Sequence, residues 1–119
     1  MTREDDRTLS DALVAARDAG RRCVLATIVA TKGSTPRKVG ARMLVDPDEG
    51  LVGTVGGGCG EAEVIESAQR VLESGAPERV RVDLTEDFTT WSPAVCGGVM
   101  DVFVERVAPP DPTTETGDR

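Results

Sequence analysis

Histidine and tyrosine are missing from this 119-residue chain, which holds one tryptophan and two phenylalanines. Without an imidazole there is no Ser-His-Asp or Cys-His pair, no histidine acid or base, and no histidine-containing zinc site. Three cysteines fall one short of a four-thiolate structural zinc site. The scarcity of aromatic rings removes the platform on which unpaired bases stack. No apolar run approaches the roughly 20 residues that span a bilayer, so no membrane insertion is expected. Self-contained catalysis is poorly served by such an inventory, and a binding role is the better expectation.

The charge balance points the same way. A net charge of −7 repels a phosphate backbone over most of the surface, which argues against general nucleic-acid binding. Locally the pattern differs: Lys32, Arg37, Lys38 and Arg42 fall in one stretch with no acidic residue among them. That stretch reads as a cationic spot, or equally as an ordinary solvated loop. Residues Met1 to Arg7 carry charges and no apolar core of a secretory signal, and the cysteine count is odd. Reduced thiols and a cytoplasmic location are the expectation.

Hydrophobic spacing predicts an alternating architecture. Leu9, Ala12, Leu13 and Ala16 recur at helical spacing before Gly20. Cys23 to Thr31 is a near-continuous β-branched and apolar run, which reads as a strand buried on both faces at the centre of a sheet, with Cys23 as core. Residues 33 to 40 (GSTPRKVG) form a loop, and Ala41 to Asp46 and Leu51 to Thr54 read as strands joined by a turn. Glu61 to Glu73 repeats Ala62, Ile65, Ala68 and Leu72, an amphipathic helix with acids in its first turn. Arg79 to Leu84 alternates with Val80, Val82 and Leu84 inward. Thr85 to Val95 is irregular, and Gly98 to Val107 is a long strand presenting Met100, Val102 and Val104 on one face. The expected fold is a single small α/β domain over residues 1–107, with a mixed β-sheet and flanking helices, followed by a disordered tail at 108–119.

The densest signal is Gly53-Thr-Val-Gly-Gly-Gly-Cys-Gly-Glu61, a glycine turn entering a helix. Gly56, Gly57, Gly58 and Gly60 around Cys59 leave backbone N–H groups bare, and the helix dipole ahead of Glu61 favours an anion or a thiolate there. A tight strand-to-helix connection with a small buried thiol would carry the same residues. The G-x-G-x-x-G fingerprint fails, because Glu61 stands where a third glycine belongs, and no Gly-Lys-Ser/Thr follows. A second glycine-flanked thiol, Cys96-Gly97-Gly98, opens the last strand. If the sheet gathers both at one edge beside Ser34 to Lys38, they suit a ligand with an anionic end and a soft, metal-bearing end.

GSTPRKVGARM (33 to 43), GTVGGGCGE (53 to 61) and CGG (96 to 98), in that order and spacing, resemble the N-terminal domain of the XdhC/CoxI family. The resemblance spans about Leu9 to Val107. It implies a chaperone that binds molybdenum cofactor, a molybdopterin dithiolene bearing a phosphate, protects its sulfurated form and delivers it to a molybdenum hydroxylase apoenzyme. By motif position it would place Cys59 and Cys96 near the molybdenum. Ser34, Arg37 and Lys38 would lie near the phosphate or pterin, with Gly56, Gly57, Gly58, Glu61, Gly97 and Gly98 completing the cofactor site. A cysteine desulfurase is implied as a partner. Family members commonly carry a further Rossmann-like domain for which this sequence has no room, so the expectation is either a split form whose companion is a separate Rossmann-like protein or a shortened paralogue that has lost part of the activity.

Two other classes of function fit the same residues. Cys59 at a helix N-terminus would serve as a nucleophile or persulfide carrier in sulfur transfer, which would make the protein an enzyme. A scaffold that only joins hydroxylase to sulfurase needs neither thiol. A homodimer would cover the edge of a small sheet, although Asp101, Glu105 and Arg106 would blunt the same edge without one.

Overall fold

The computed structural model describes residues 3–35, 37–48, 50–53, 55, 61–84 and 97–107. The expected tail at 108–119, the irregular segment 85–95 and the residues Gly56, Gly57, Gly58, Cys59 and Cys96 lie outside the described residues.

The chain runs through helix α1 (Arg3–Asp18), strands β1 (Cys23–Lys32), β2 (Arg42–Asp46) and β3 (Gly50–Gly53), helix α2 (Glu61–Ser74), and strands β4 (Glu78–Asp83) and β5 (Val99–Val107). The five strands form one sheet in the order β3-β2-β1-β5-β4. β1, the most apolar run, stands at its centre, as its composition requires.

Among the described residues every strand pairing is antiparallel, which corrects the expected mixed sheet. The helix between β3 and β4 suggested a parallel crossover. β3 and β4 do run in the same direction, but they occupy opposite edges and never pair, because β1, β2 and β5 lie between them.

The two helices cover opposite faces. α1 sets Leu9, Ala12, Leu13 and Ala16 against Cys23, Leu25, Leu44 and Val52. It ends in a Schellman turn, in which Arg21 N–H bonds Ala16 O at 2.9 Å and Gly20 N–H bonds Arg17 O at 3.1 Å, with Gly20 at φ 74°. α2 buries Val64, Ser67, Ala68 and Val71. They pack on the face made by Val24, Ala26, Ile28, Met43, Val82, Met100, Val102 and Val104. Ala62, expected on that stripe, is exposed. The stripe turns about Val64 and Val71 instead, because two valines bury more apolar area than one alanine and leave Ile65 and Leu72 at its margin.

α2 is fastened at both ends of its last turns. Ser67 Oγ donates to Glu78 Oε1 at 2.8 Å, and Arg70 Nη2 donates to the same oxygen at 2.9 Å. Arg106 Nη1 donates to Leu72 O at 3.2 Å, satisfying a carbonyl the helix end leaves open. Since Arg106 pairs with Val24 at the start of β1, the C-terminus of α2 lies at that end of the sheet. Its first residue, Glu61, therefore points to the other end, where β1 finishes and β5 begins.

No helix among the described residues is long and apolar enough to cross a membrane.

Candidate functional site

Strand direction gathers three connections at one pole of the sheet. β1 ends at Lys32 opposite Val99, the first residue of β5, and β4 ends at Asp83 opposite the same Val99. Beyond Ile28, β1 outruns β2: Ile28 exchanges hydrogen bonds with Gly40 and Ala41, both at 2.9 Å, and the register with β5 shifts between Ile28 and Ala30. The last residues of β1 thus project with β5 as their described neighbour, and the loop at 33–40 overhangs the sheet end. Val55, fully buried in the core, and Glu61, the first residue of α2, flank the glycine run in sequence, whose residues 56–60 lie outside the described residues.

Two of the three sequence motifs touch. Gly33 turns the chain at φ 78°, and a Cβ built there would lie 3.1 Å from Gly97 O and 3.2 Å from Gly98 Cα. Gly98 is buried between the two backbones, with its own carbonyl accepting the Leu84 N–H at 2.9 Å. Thr35 Oγ1 donates to Arg37 O at 2.8 Å, which folds the loop back on itself. The sequence reading placed Thr35 in this cluster, as part of the Ser34 to Lys38 loop, but did not single out Gly33. The glycine before Ser34 was its only signal, and it carries no information about what stands opposite.

Ser34, Arg37 and Lys38 are exposed, and Val39 beside them is 58% exposed. Arg37 and Lys38 form no ion pair among the described residues. Two cations with no described carboxylate beside them, on an acidic protein, make a local attractor for an anion. Glu61 is half-buried and engaged in an interaction of its own. Gly97 is exposed, with open space where a Cβ would point. Ser34, Arg37, Lys38, Gly97 and Gly98 therefore share one pole, and Glu61 points to it. Cys59, Cys96 and Gly56 to Gly58 belong to the connections that arrive there but lie outside the described residues.

Cys23 is elsewhere. It sits at the far end of β1, 1% exposed, as the core reading expected. Burial first, and then the negative charge of Asp46, push its thiol up to about 11. A cleft of about 380 Å³ lined by Gly20, Arg21, Arg22, Pro47, Asp48 and Leu72 lies at that same far end, away from all three motifs. Among the described residues no group of three acidic or thiol side chains is placed to hold a metal ion.

The fold is a small α/β domain on an antiparallel sheet, with glycine-bearing and cation-bearing segments gathered at one pole. The chain belongs to the XdhC and CoxI family, whose model matches residues 16–83. Three proteins align over more than four-fifths of it. The molybdenum cofactor insertion chaperone PaoD of Escherichia coli is 31% identical over 92% of the chain and 34% of its own length. A protein of Bacillus subtilis named as a probable xanthine dehydrogenase subunit is 33% identical over 84% of the chain and 30% of its own. The crystal structure of a xanthine dehydrogenase from Bacillus halodurans superposes with a TM-score of 0.68 and 35% identity, over 82% of this chain and 30% of that one. The chain thus spans about a third of the length of these relatives.

Proposed function

We propose that this protein is a non-catalytic chaperone for molybdenum cofactor, acting in the maturation of a molybdenum hydroxylase of the xanthine dehydrogenase or CO dehydrogenase type. The observation that carries this reading is the contact between the loop after β1, which also bears two exposed cations, and the Gly97-Gly98 segment that follows Cys96 in sequence. It is supported by the name of PaoD and by the xanthine dehydrogenase names of the other two relatives.

In this reading Ser34, Arg37 and Lys38 receive the phosphate or pterin end of the cargo. The residues fit that part of the ligand: a guanidinium and an ammonium group open to solvent, a hydroxyl beside them, and glycine backbone with free space at Gly97. Gly56, Gly57, Gly58 and Gly60 supply N–H groups, and Cys59 and Cys96 supply soft sulfur toward the molybdenum end. Glu61 and Gly98 shape the floor. The cargo brings the redox chemistry; the protein holds it, shields it and releases it to the apoenzyme. A cysteine desulfurase would donate the sulfur of the sulfurated form. A Rossmann-like unit of the kind the family carries would complete the assembly.

The charge-reversed variant Arg37→Glu/Lys38→Glu tests the anionic end. It should retain molybdenum cofactor at least about tenfold more weakly than the parent while melting at the same temperature, since both side chains are exposed. Equal affinity in parent and variant would remove the loop from the site.

A further inference from the structure

Gly97 and Gly98 are indistinguishable in the sequence, but their surroundings are opposite. A Cβ on Gly97 would meet nothing within 4 Å. A Cβ on Gly98 would lie 2.5 Å from Ser34 O, 2.6 Å from Lys32 O and 2.7 Å from Thr35 Cγ2. Two of those three atoms are backbone oxygens, which no rotamer change can move aside. Lys32 is held by its pairing with Val99, so the backbone that must yield is that of Ser34 and Thr35.

We propose that Gly98 is a positioning residue, whose bare Cα lets the loop after β1 dock on the mouth of β5 and thereby sets where Arg37 and Lys38 stand. The contact is reciprocal, because Gly33 approaches Gly97 O and Gly98 Cα from the other side with a backbone that itself demands glycine, at φ 78°. It is also transmitted. Thr35, which touches Gly98, holds the carbonyl of Arg37 through its hydroxyl at 2.8 Å, so the docking of the loop reaches the first of the two cations. A side chain at 98 lifts that assembly off the sheet end; a side chain at 97 points into open space.

Trypsin reads the loop directly, because it cuts after Arg37 and Lys38, and its rate follows the population of the undocked form when docking is fast. In Gly98→Ala these cuts should come at least about tenfold faster than in the parent, and in Gly97→Ala within about twofold of it. Both variants should keep cooperative melting. Adding Thr35→Ala to Gly98→Ala should not restore protection, since the two backbone oxygens remain. If Gly98→Ala fails to fold, Thr35→Ala alone decides: it leaves the glycine in place, removes the bond to Arg37 O, and should speed the same cuts several-fold. Parental cleavage rates in Gly98→Ala, or in Thr35→Ala where that variant decides, or equal rates in Gly97→Ala and Gly98→Ala, would overturn the proposal.

The consequence for cargo rests on the proposed chaperone reading: Gly98→Ala should lose retention of molybdenum cofactor. A parent that retains no cofactor refutes that reading and leaves the proteolysis to judge Gly98. Equal retention in a Gly98→Ala protein with a freed loop would overturn its role toward the cargo.

Discussion

Arg21 and Asp46 form a largely buried ion pair at the end of the sheet opposite the motif-bearing loops, with Arg21 Nη2 3.0 Å and Nε 3.3 Å from the same carboxylate oxygen. The Asp46 side chain is 3% exposed, and its other oxygen accepts the Asp48 N–H at 2.9 Å, so the pair joins the end of α1 to the turn after β2. Replacing Arg21 by Ala strands a buried carboxylate, and a loss of about 3 kcal/mol is expected. Urea unfolding of Arg21→Ala measures it; a loss below about 1 kcal/mol would mean that the carboxylate is satisfied without the arginine.

Cys23 should be chemically silent. Its burial and the neighbouring Asp46 charge keep the thiol neutral to about pH 11 against an ordinary value of 9.0. At pH 8 an alkylating reagent should label it only after unfolding. The linked stability has a definite sign. With the folded value above the unfolded one, the stabilisation is complete below about pH 9 and is lost as pH rises towards about 11. The urea midpoint of the parent should therefore fall more steeply across that window than that of Cys23→Ala. Rapid labelling of native protein at Cys23 would contradict the core assignment.

At the acid end Glu78 is a sensitive group. The Arg70 hydrogen bond, followed by that from Ser67, holds its carboxyl below the usual range. A depressed folded value means stability that is present above the unfolded pKa and lost as pH falls through the folded one. Glu78→Gln should be less stable than the parent at pH 7, and the two unfolding midpoints should converge as the pH is taken below about 4. Parallel curves down to strong acid would show that the Arg70–Glu78 pair contributes nothing to the native state.

Much of this architecture is written in local pattern. The near-continuous apolar and β-branched run of β1 made it the central strand, the alternation in β5 placed Met100, Val102 and Val104 in the core, and of the four residues its spacing selected α1 buries Leu9 and Ala16 and half-buries Ala12 and Leu13. The all-antiparallel order was not legible, because a helix between two strands looks the same whether the strands pair or stand at opposite edges. The stripe of α2 was misplaced at Ala62, since helical spacing admits neighbouring registers and only packing against the sheet chooses among them. At the site, composition announced the loops and strand direction explains their convergence. It could not separate Gly97 from Gly98, because the difference lies in the backbone oxygens of Lys32 and Ser34 and the methyl of Thr35, which face Gly98 alone.

The central claim is cargo binding, and anaerobic titration of the protein with molybdenum cofactor tests it most directly, followed by desalting and fluorescence of the oxidised pterin. The account predicts stoichiometric retention that falls in Cys59→Ala and in Cys96→Ala and is unchanged in Cys23→Ala. Absence of retention by the parent protein, or equal retention in all three variants, would contradict it.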